Sequence, residues 1–240
     1  MPHVESKEVE ALVAEIDAHL HALPSLKTEN VRALRREFTK QLARTPPHLV
    51  IEVALQLLEK ADFTYRFVAY ELVCHHRAAL RSLGERELER LGRGIDSWEA
   101  VDTFACYLAG PAWREHQVPE ALIQRWARSE DRWWRRTALV CTVALNNRAR
   151  GGTGDAARTL KICHLLVSDR DDMVVKAMSW ALRELVKHDL QAVLRFLEEH
   201  QGVLAARAVR EVGNKLSTGL KNPRGKKIQS RRVSTSESAM

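Results

Sequence analysis

The feature that most constrains this chain of 240 residues is a helical repeat of apolar side chains that runs through almost its whole length. Apolar residues recur every three to four positions, and no stretch alternates convincingly as a β-strand. The pattern predicts helices over 5–22, 28–44, 47–60, 63–81, 84–91, 97–109, 118–129, 131–146, 155–168, 171–187, 189–199 and 202–219. Asp131, Asp155 and Asp171 are suited to cap the starts of three helices, and Gly219 fits the end of the last one.

Short turns join these segments, so consecutive helices are expected to be antiparallel neighbours. Segments 118–146, 155–187 and 189–219 each contain one helix pair, and the spacing between pairs is close to that of HEAT repeats. We therefore predict an all-α fold, a curved stack of antiparallel helix pairs that forms a HEAT-like repeat solenoid. Residues 1–220 are expected to form one domain, with a concave face that serves as a binding surface.

Charge is distributed unevenly along the chain. The formal net charge is +7. Residues 221–240 hold six Lys or Arg against one Glu, a charge of +5, which leaves +2 for residues 1–220. This basic, Ser-rich tail is expected to be disordered. Because the rest of the chain is only mildly basic overall, an argument for nucleic-acid binding must rest on local clusters of cations.

Several other classes of protein do not fit the composition. No apolar run is long enough for a transmembrane helix, and the first residues lack the pattern of a signal peptide, so we expect a cytoplasmic protein without a membrane partner. Four cysteines lie far apart, which predicts buried free thiols and no disulfide or zinc site: Cys74, Cys106, Cys141 and Cys163. The Gly-rich segment 146–155 lacks the Gly-Lys-Ser/Thr of a phosphate-binding loop. We expect no metal and no nucleotide or other cofactor.

Segment 171–187 combines basic and aromatic residues on the side of a helix that faces away from its apolar stripe. At about 100° per residue, the apolar residues of this helix form one side. Lys176, Trp180 and Arg183 lie about half a turn away. A large aromatic side chain among cations is typical of a surface that faces nucleic acid. The alternative is that Trp180 contacts a neighbouring repeat.

Two further segments carry unusual residues. Trp98 and Asp102 are four positions apart and therefore neighbours on one helix face; the alternative is a half-buried Trp beside a solvated Asp. In segment 129–138, Arg132, Arg135 and Arg136 are predicted to share one side of a helix, whereas Trp133 and Trp134 are predicted to pack against the core. Guanidinium groups bind phosphate oxygens in a bidentate way, so this cluster suits a DNA backbone. The alternative is a solvated, salt-bridged face.

Together these three segments resemble the motifs of the AlkD-type DNA alkylation-repair glycosylases. The similarity lies in Trp98-x-x-x-Asp102, in the segment from Ser129 to Ala138, and in the segment from Lys176 to Glu184, which occur in family order over roughly residues 85–220. The resemblance implies a stack of HEAT-like repeats whose concave face grips duplex DNA. It also implies hydrolytic removal of cationic alkylated purines such as N7-alkylguanine and N3-alkyladenine. No Lys stands out near the motifs as a Schiff-base nucleophile, so we expect no lyase step, and nothing in the sequence requires more than a monomer.

The same resemblance implies roles for individual residues. Asp102 corresponds to the catalytic carboxylate, and Trp98 and Trp180 to the aromatic residues that flank it and pack against the deoxyribose. Arg136 corresponds to a residue that holds a phosphate near the lesion. Arg183 is placed as a further phosphate contact, and Lys176, Arg132 and Arg135 complete the expected DNA-binding set.

The first third of the chain departs from the family pattern. The family's Gly-Ile-x-x-Pro segment is replaced by Leu26-Lys27-Thr28-Glu29, and Ile16 occupies the approximate place of a supporting tyrosine. This departure concerns the substrate range and the closure of the N-terminal part more than the catalytic group. Two other functions stay open: a non-catalytic HEAT-like module that recognises DNA structure or damage, and a protein–protein scaffold.

Overall fold

The computed structural model describes residues 2–223, in which every regular element is helical and no strand occurs. The helices are α1 (Pro2–His21), α2 (Thr28–Gln41), α3 (Pro47–Leu58), α4 (Phe63–His75), α5 (Arg77–Arg81), α6 (Glu85–Gly92), α7 (Trp98–Phe104), α8 (Gly110–Arg114), α9 (Glu120–Ala127), α10 (Arg132–Asn146), α11 (Ala156–Leu165), α12 (Asp172–Leu185), α13 (Leu190–Glu199) and α14 (Ala206–Thr218). A π-helical turn, Ala105–Ala109, joins α7 to α8. The predicted all-α class is confirmed.

The helices stack in two layers. One layer contains α2, α4, α7 with α8, α10, α12 and α14, and each of these helices packs against the next in that order. We call it the inner layer, because the cavity described below opens on it. The outer layer contains α1, α3, α5, α6, α9, α11 and α13. The inner helices α2, α4, α7, α10 and α12 each pack on the outer helix that precedes them in the chain, and α13 packs on α12. This is the arrangement of a HEAT-like solenoid.

The helix pairs and caps expected from the sequence are present. Segments 118–146, 155–187 and 189–219 contain the pairs α9–α10, α11–α12 and α13–α14. Carboxylates cap three helices by accepting backbone N–H groups of the first turn: Asp131 from Trp133, Asp155 from Arg158, and Asp171 from Met173. Gly219 ends α14 with a φ of 74°, a left-handed conformation that glycine adopts without strain.

Two predicted helices differ from the structure. Segment 63–81 is interrupted at His76, whose imidazole Nδ1 accepts the N–H of Ala79 at 3.0 Å and so starts the short helix α5. The helix predicted over 97–109 continues to Arg114 through the π-helical turn, in which Gly110 N–H donates to the carbonyl of Ala105. Gly110 lies so close to Ala144 of α10 that an added Cβ would overlap with it.

A single apolar core extends from Val9 to Val212 and connects both layers. Cys106, Cys141 and Cys163 lie in it as free thiols and Cys74 is partly buried, as the sequence predicts. The domain boundary at residue 220 stays a prediction, and the expected disorder of the tail concerns mostly residues 224–240, which lie outside the described residues. Of the helices described, none has the length and apolar character needed to cross a membrane.

Candidate active site

A cavity of about 290 Å³ lies on the inner layer and brings together residues from four helices. Its lining consists of Leu26, Thr28, Val31, Phe63, Thr64, Phe67, Trp98, Glu99, Asp102, Thr103, Cys106, Tyr107, Arg150 and Trp180. Trp98, Asp102 and Trp180, which the sequence singles out, therefore share one site. Helices α7 and α12 both line the cavity, although α10 lies between them in the inner layer. The inner layer is therefore concave at the cavity.

Helix α7 positions the acidic side of the cavity. Ser97 caps the helix, its hydroxyl accepting the N–H of Ala100. Val101 and Phe104 are fully buried, and this fixes the rotation of α7 so that Trp98 and Asp102 face the cavity. The indole of Trp98 is 50% exposed and lines the cavity, so a ligand in the cavity can contact it.

The π-helical turn that follows α7 keeps further side chains on the same side. Its wider i→i+5 hydrogen bond lets Cys106 and Tyr107 line the cavity together with Asp102 and Thr103. Single π-helical turns within α-helices are frequent at functional sites. The close contact of Gly110 with α10 holds this turn in place.

Asp102 forms a bidentate ion pair with Arg136 of α10. Arg136 Nη2 donates to Asp102 Oδ1 at 2.8 Å and to Oδ2 at 3.0 Å, and Nε donates to Oδ1 at 3.1 Å. Burial raises the pKa of the Asp102 carboxyl above its ordinary value, and the Arg136 charge opposes this effect. Oδ2 accepts only one of these hydrogen bonds, so it is the oxygen that is freer to act on a ligand.

Arg136 is buried, unlike the accessible arginine that both interpretations of segment 129–138 require. The sequence predicts that it shares one helix side with Arg132 and Arg135, either against a DNA backbone or as a solvated, salt-bridged face. Instead its side chain is only 5% exposed, and Nη1 donates to the carbonyl of Met173 at 2.6 Å. The reason is that α7 and α12 pack on both sides of α10 and cover a guanidinium that would be solvated on an isolated helix. Its role as a phosphate contact stays a prediction.

The other two arginines of α10 point in separate directions. Arg135 Nε donates to Asp169 at 2.7 Å, and Nη1 donates to the carbonyls of Ser129 and Glu130, so this side chain ties α10 to the segment before α12. Arg132 is 52% exposed and lies 4.7 Å from the ring centroid of Trp133. Arg132 is thus the more accessible of the two for a phosphate.

Helix α12 contributes Trp180 to the cavity and two cations beside it. Lys176 Nζ pairs with Asp172 at 2.6 Å. Arg183 is partly buried, donates from Nε to the hydroxyl of Ser179 at 3.1 Å, and its pKa is lowered by that burial. The DNA-binding roles of Lys176 and Arg183 stay predictions.

Aromatic residues behind α7 support its position. Trp134 packs on Trp126 with ring centroids 4.9 Å apart and meets Phe104 edge-on at 6.2 Å. Its ring also touches Gly92 at the end of α6, where a side chain would overlap with it. Trp133 and Trp134 both pack against the core, as predicted.

The sequence analysis missed one whole wall of the cavity. Helix α4 supplies Phe63 and Phe67, whose ring centroids are 6.2 Å apart, and the turn before α2 supplies Leu26. Apolar residues four apart on a helix look the same in a sequence whether they face a core or a ligand. Only the exposure of Phe63 and Leu26 distinguishes this wall from the core.

Two polar cavity residues were also missed. Tyr107 accepts a hydrogen bond from Arg32 Nη2 at 3.2 Å, and the guanidinium of Arg150 lies 4.7 Å from the Tyr107 ring centroid. Arg150 belongs to the Gly-rich segment, which lacks the Gly-Lys-Ser/Thr of a phosphate-binding loop. The two arginines that precede the glycines were a signal, but the position of this segment beside α7 is not visible in the sequence.

Comparison with known proteins places the chain in a family. The family model of the DNA alkylation repair enzymes matches residues 20–216. The match begins well before the segment 85–220 that carries the resemblance in the sequence, so the divergent first third belongs to the same family pattern. A comparison with curated proteins gave no match. Because the family model covers most of the chain, including every helix that lines the cavity, this protein belongs to the DNA alkylation repair enzyme family.

Proposed function

We propose that the protein is a monofunctional DNA glycosylase that hydrolyses the N-glycosidic bond of cationic alkylated purines, N7-alkylguanine and N3-alkyladenine, in duplex DNA. The observation that carries this proposal is the position of Asp102. Its carboxylate lies in a cavity lined by Trp98 and Trp180 and is held by a bidentate arginine. Membership of the DNA alkylation repair enzyme family supports both the DNA substrate and an enzymatic role.

One carboxylate suffices for this reaction. Alkylation at N7 or N3 leaves the purine positively charged, so the base departs as a neutral leaving group without being protonated. The general acid of a two-carboxylate glycosidase is therefore unnecessary. As the C1′–N bond breaks, the sugar gains oxocarbenium character, and the negative charge of Asp102 stabilises it and orients the water that attacks C1′.

The two tryptophans act on the same developing charge. The electron-rich face of an indole attracts a cation within about 6 Å, which contributes roughly 0.5–2 kcal/mol depending on desolvation. Trp98 and Trp180 lie on separate helices and both line the cavity. In this proposal they pack against the deoxyribose and exclude bulk water from it.

Arg136 acts as a positioning residue for Asp102. Its Nε and Nη2 donate to the carboxylate while Nη1 is fixed on the Met173 carbonyl, so the carboxylate has one orientation before substrate arrives. Such preorganisation avoids reorganisation during the reaction. The Arg136 charge also keeps the carboxylate ionised in a buried place.

Monofunctional hydrolysis is supported by the composition of the cavity wall. A lyase step needs an amine that attacks C1′ to form a Schiff base. Within residues 2–223, the side chains that line the cavity include no lysine. Water is therefore the proposed nucleophile, and the product is an abasic site in an intact strand.

Binding of the duplex is assigned to cations beside the cavity. We propose phosphate contacts for Arg132, Lys176 and Arg183, with Arg135 holding the segment between α10 and α12. The exposed Arg132 is the best placed of these residues. Such contacts release counterions, so binding is expected to weaken steeply as salt increases.

The test is release of base from a duplex that carries N7-methylguanine, with wild type beside Asp102→Asn. This change removes the charge at nearly constant shape, and we expect excision to fall about 100-fold or more while DNA binding persists. Asp96→Asn is the matched control, because Asp96 is exposed in the turn before α7 and does not line the cavity.

The outcomes separate the possible functions. Full excision by Asp102→Asn would refute the catalytic assignment. No release by wild type, with salt-sensitive binding of the same duplex retained, would indicate a DNA-recognition module without chemistry. Absence of both release and binding would favour a protein–protein scaffold.

A further inference from the structure

The cavity has a cationic end that the proposed reaction does not use. Arg150 is exposed and lines the cavity, and its guanidinium lies over the ring of Tyr107. Among residues 2–223, no carboxylate comes within ion-pairing distance of this guanidinium. It therefore keeps its full charge and its N–H donors free for a ligand.

The Gly-rich segment holds Arg150 in place. The backbone carbonyl of Arg150 accepts a hydrogen bond from Arg114 Nη1 at 2.6 Å, and the guanidinium of Arg114 lies against Gly151, whose φ is 83°. Further along, Gly154 lies against the imidazole of His188, which contacts the carbonyl of Asn146 at 2.6 Å. The segment is thus built into the fold, and Arg150 is presented at a fixed point.

Tyr107 provides a second donor at the same end. The Tyr107 hydroxyl oxygen accepts a hydrogen bond from Arg32 Nη2. The hydroxyl proton itself makes no hydrogen bond to any residue that the structure describes, so it is available to a ligand. Arg32 and Arg35 share the single buried carboxylate of Glu71. Two guanidinium groups against one carboxylate leave a net positive charge behind Tyr107.

The cavity therefore carries charges of both signs. Glu99 and Asp102 lie on α7, where Asp102 is already paired with Arg136. Arg150 lies over Tyr107 in the turn that follows α7, with the excess charge of Arg32 and Arg35 beside it. A positively charged ligand is repelled from the Arg150 end, whereas a negatively charged group is attracted to it.

We propose that Arg150 and the hydroxyl of Tyr107 bind a phosphate of the DNA strand next to the target nucleotide. This inference rests on the proposed function and adds to it the orientation of the bound DNA strand in the cavity. With the phosphate at the Arg150 end, the adjoining deoxyribose lies between Trp98 and Trp180, and its cationic base points away from the cation. Arg150 then replaces Arg136, whose donors are occupied, as the arginine that holds a phosphate at the lesion.

The first experiment compares Arg150→Ala with Arg148→Ala. Both arginines are exposed in the same short turn, so each change removes one charge from the same segment, but Arg148 does not line the cavity. A hydrogen bond to a charged group corresponds to about tenfold or more in affinity. We expect Arg150→Ala to weaken duplex binding about tenfold and to lower the slope of log Kd against log salt by about one. Arg148→Ala should change affinity less than about twofold.

Single-turnover excision shows whether Arg150→Ala weakens DNA binding or slows the chemical step. Arg150→Ala should raise the enzyme concentration needed for half-maximal rate and leave the maximal rate within about threefold, because it removes binding and not the carboxylate. Tyr107→Phe should show the same pattern with a smaller effect. A fall in maximal rate as large as that of Asp102→Asn would overturn the assignment of Arg150 to binding.

A duplex with one methylphosphonate beside the N7-methylguanine tests the contact itself. Wild type should bind this uncharged linkage about as weakly as Arg150→Ala binds ordinary DNA, and Arg150→Ala should lose nothing further. Equal losses by wild type and Arg150→Ala would overturn the proposal. If wild type releases no base, the proposed function fails, yet the two binding measurements still decide whether Arg150 holds that phosphate.

Discussion

The two walls of the cavity differ in chemistry. The central wall, from α7, α10 and α12, carries the carboxylate Asp102, the buried Arg136 and two tryptophans. The N-terminal wall, from α2 and α4, is mostly apolar, and its Phe63 and Leu26 are exposed. Hydrogen bonds between helices fix both walls, through Asp102 and Arg136 in the central wall and through Arg32, Arg35 and Glu71 in the N-terminal wall. The difference lies in what each wall presents to the cavity: a carboxylate with two indoles on one side, and apolar side chains on the other. Under the proposed function, variants in the central wall should therefore affect the reaction and variants in the N-terminal wall should affect binding.

The largest effect on stability is expected from Arg136→Gln in the central wall. This change leaves Asp102 as a buried carboxylate without its partner, which costs about 3 kcal/mol in the free energy of unfolding. Denaturant unfolding at neutral pH measures it. The double variant Asp102→Asn with Arg136→Gln is the control, and it should recover much of the loss because no unpaired charge remains. A double variant as unstable as Arg136→Gln would contradict the role of the ion pair.

The same variant should change the pH dependence of excision. In the proposed mechanism Asp102 acts as a carboxylate, so wild-type excision should be lost as pH falls through a pKa that burial holds above the ordinary value of about 3.9. Removing Arg136 removes the charge that lowers this pKa, so the acid limb should move to higher pH. The stability deficit should also shrink as pH falls, because protonation discharges Asp102. An unmoved acid limb would count against Asp102 as the titrating group.

A smaller effect is expected from Trp98→Ala, also in the central wall. The indole is half exposed, so stability should change by less than about 1 kcal/mol. Loss of its attraction for the cationic sugar should reduce the maximal single-turnover rate about tenfold. Trp98→Phe keeps an aromatic face, so its maximal single-turnover rate should fall less than that of Trp98→Ala. Unchanged rates in both variants would remove Trp98 from the site.

The smallest effect is expected from the N-terminal wall. Phe63→Ala should raise the half-saturating enzyme concentration in single-turnover excision about threefold, with no change in maximal rate, because this residue contributes packing and no charge. Leu190→Ala is the control, since Leu190 is similarly exposed on α13 of the outer layer and does not line the cavity. Equal behaviour of the two variants would show that the N-terminal wall does not contact DNA.

The sequence predicts the residues of the central wall better than those of the N-terminal wall. Trp98, Asp102 and Trp180 are residue types that stand out on helix faces, the family resemblance implies that they share a site, and the structure places all three on one cavity. Phe63 and Phe67 follow the same apolar pattern as buried residues, so nothing in the sequence separated them from the core. Membership of the first third in the family became visible only from the match that begins at residue 20.

Arg136 shows a different limit of sequence analysis. Its position on α10 was predicted correctly, but whether that side of the helix is solvated depends on α7 and α12, more than 30 residues away in either direction. Arg150 shows the converse. A residue in a connecting segment becomes part of the cavity because Arg114 and His188, distant in sequence, hold that segment against the inner layer.

The sequence by itself determined the helices, their order, their caps and the paired arrangement, because hydrophobic periodicity and capping act within a few residues. Through the family resemblance it also singled out Trp98, Asp102 and Trp180, which the structure brings to one cavity. Only the tertiary structure decided that Arg136 is buried on Asp102, that a π-helical turn carries Tyr107 into the cavity, and that α4 and the Gly-rich segment enclose it. The physical reason is that exposure, ion pairing and desolvation depend on what neighbouring helices cover, and no local pattern specifies that.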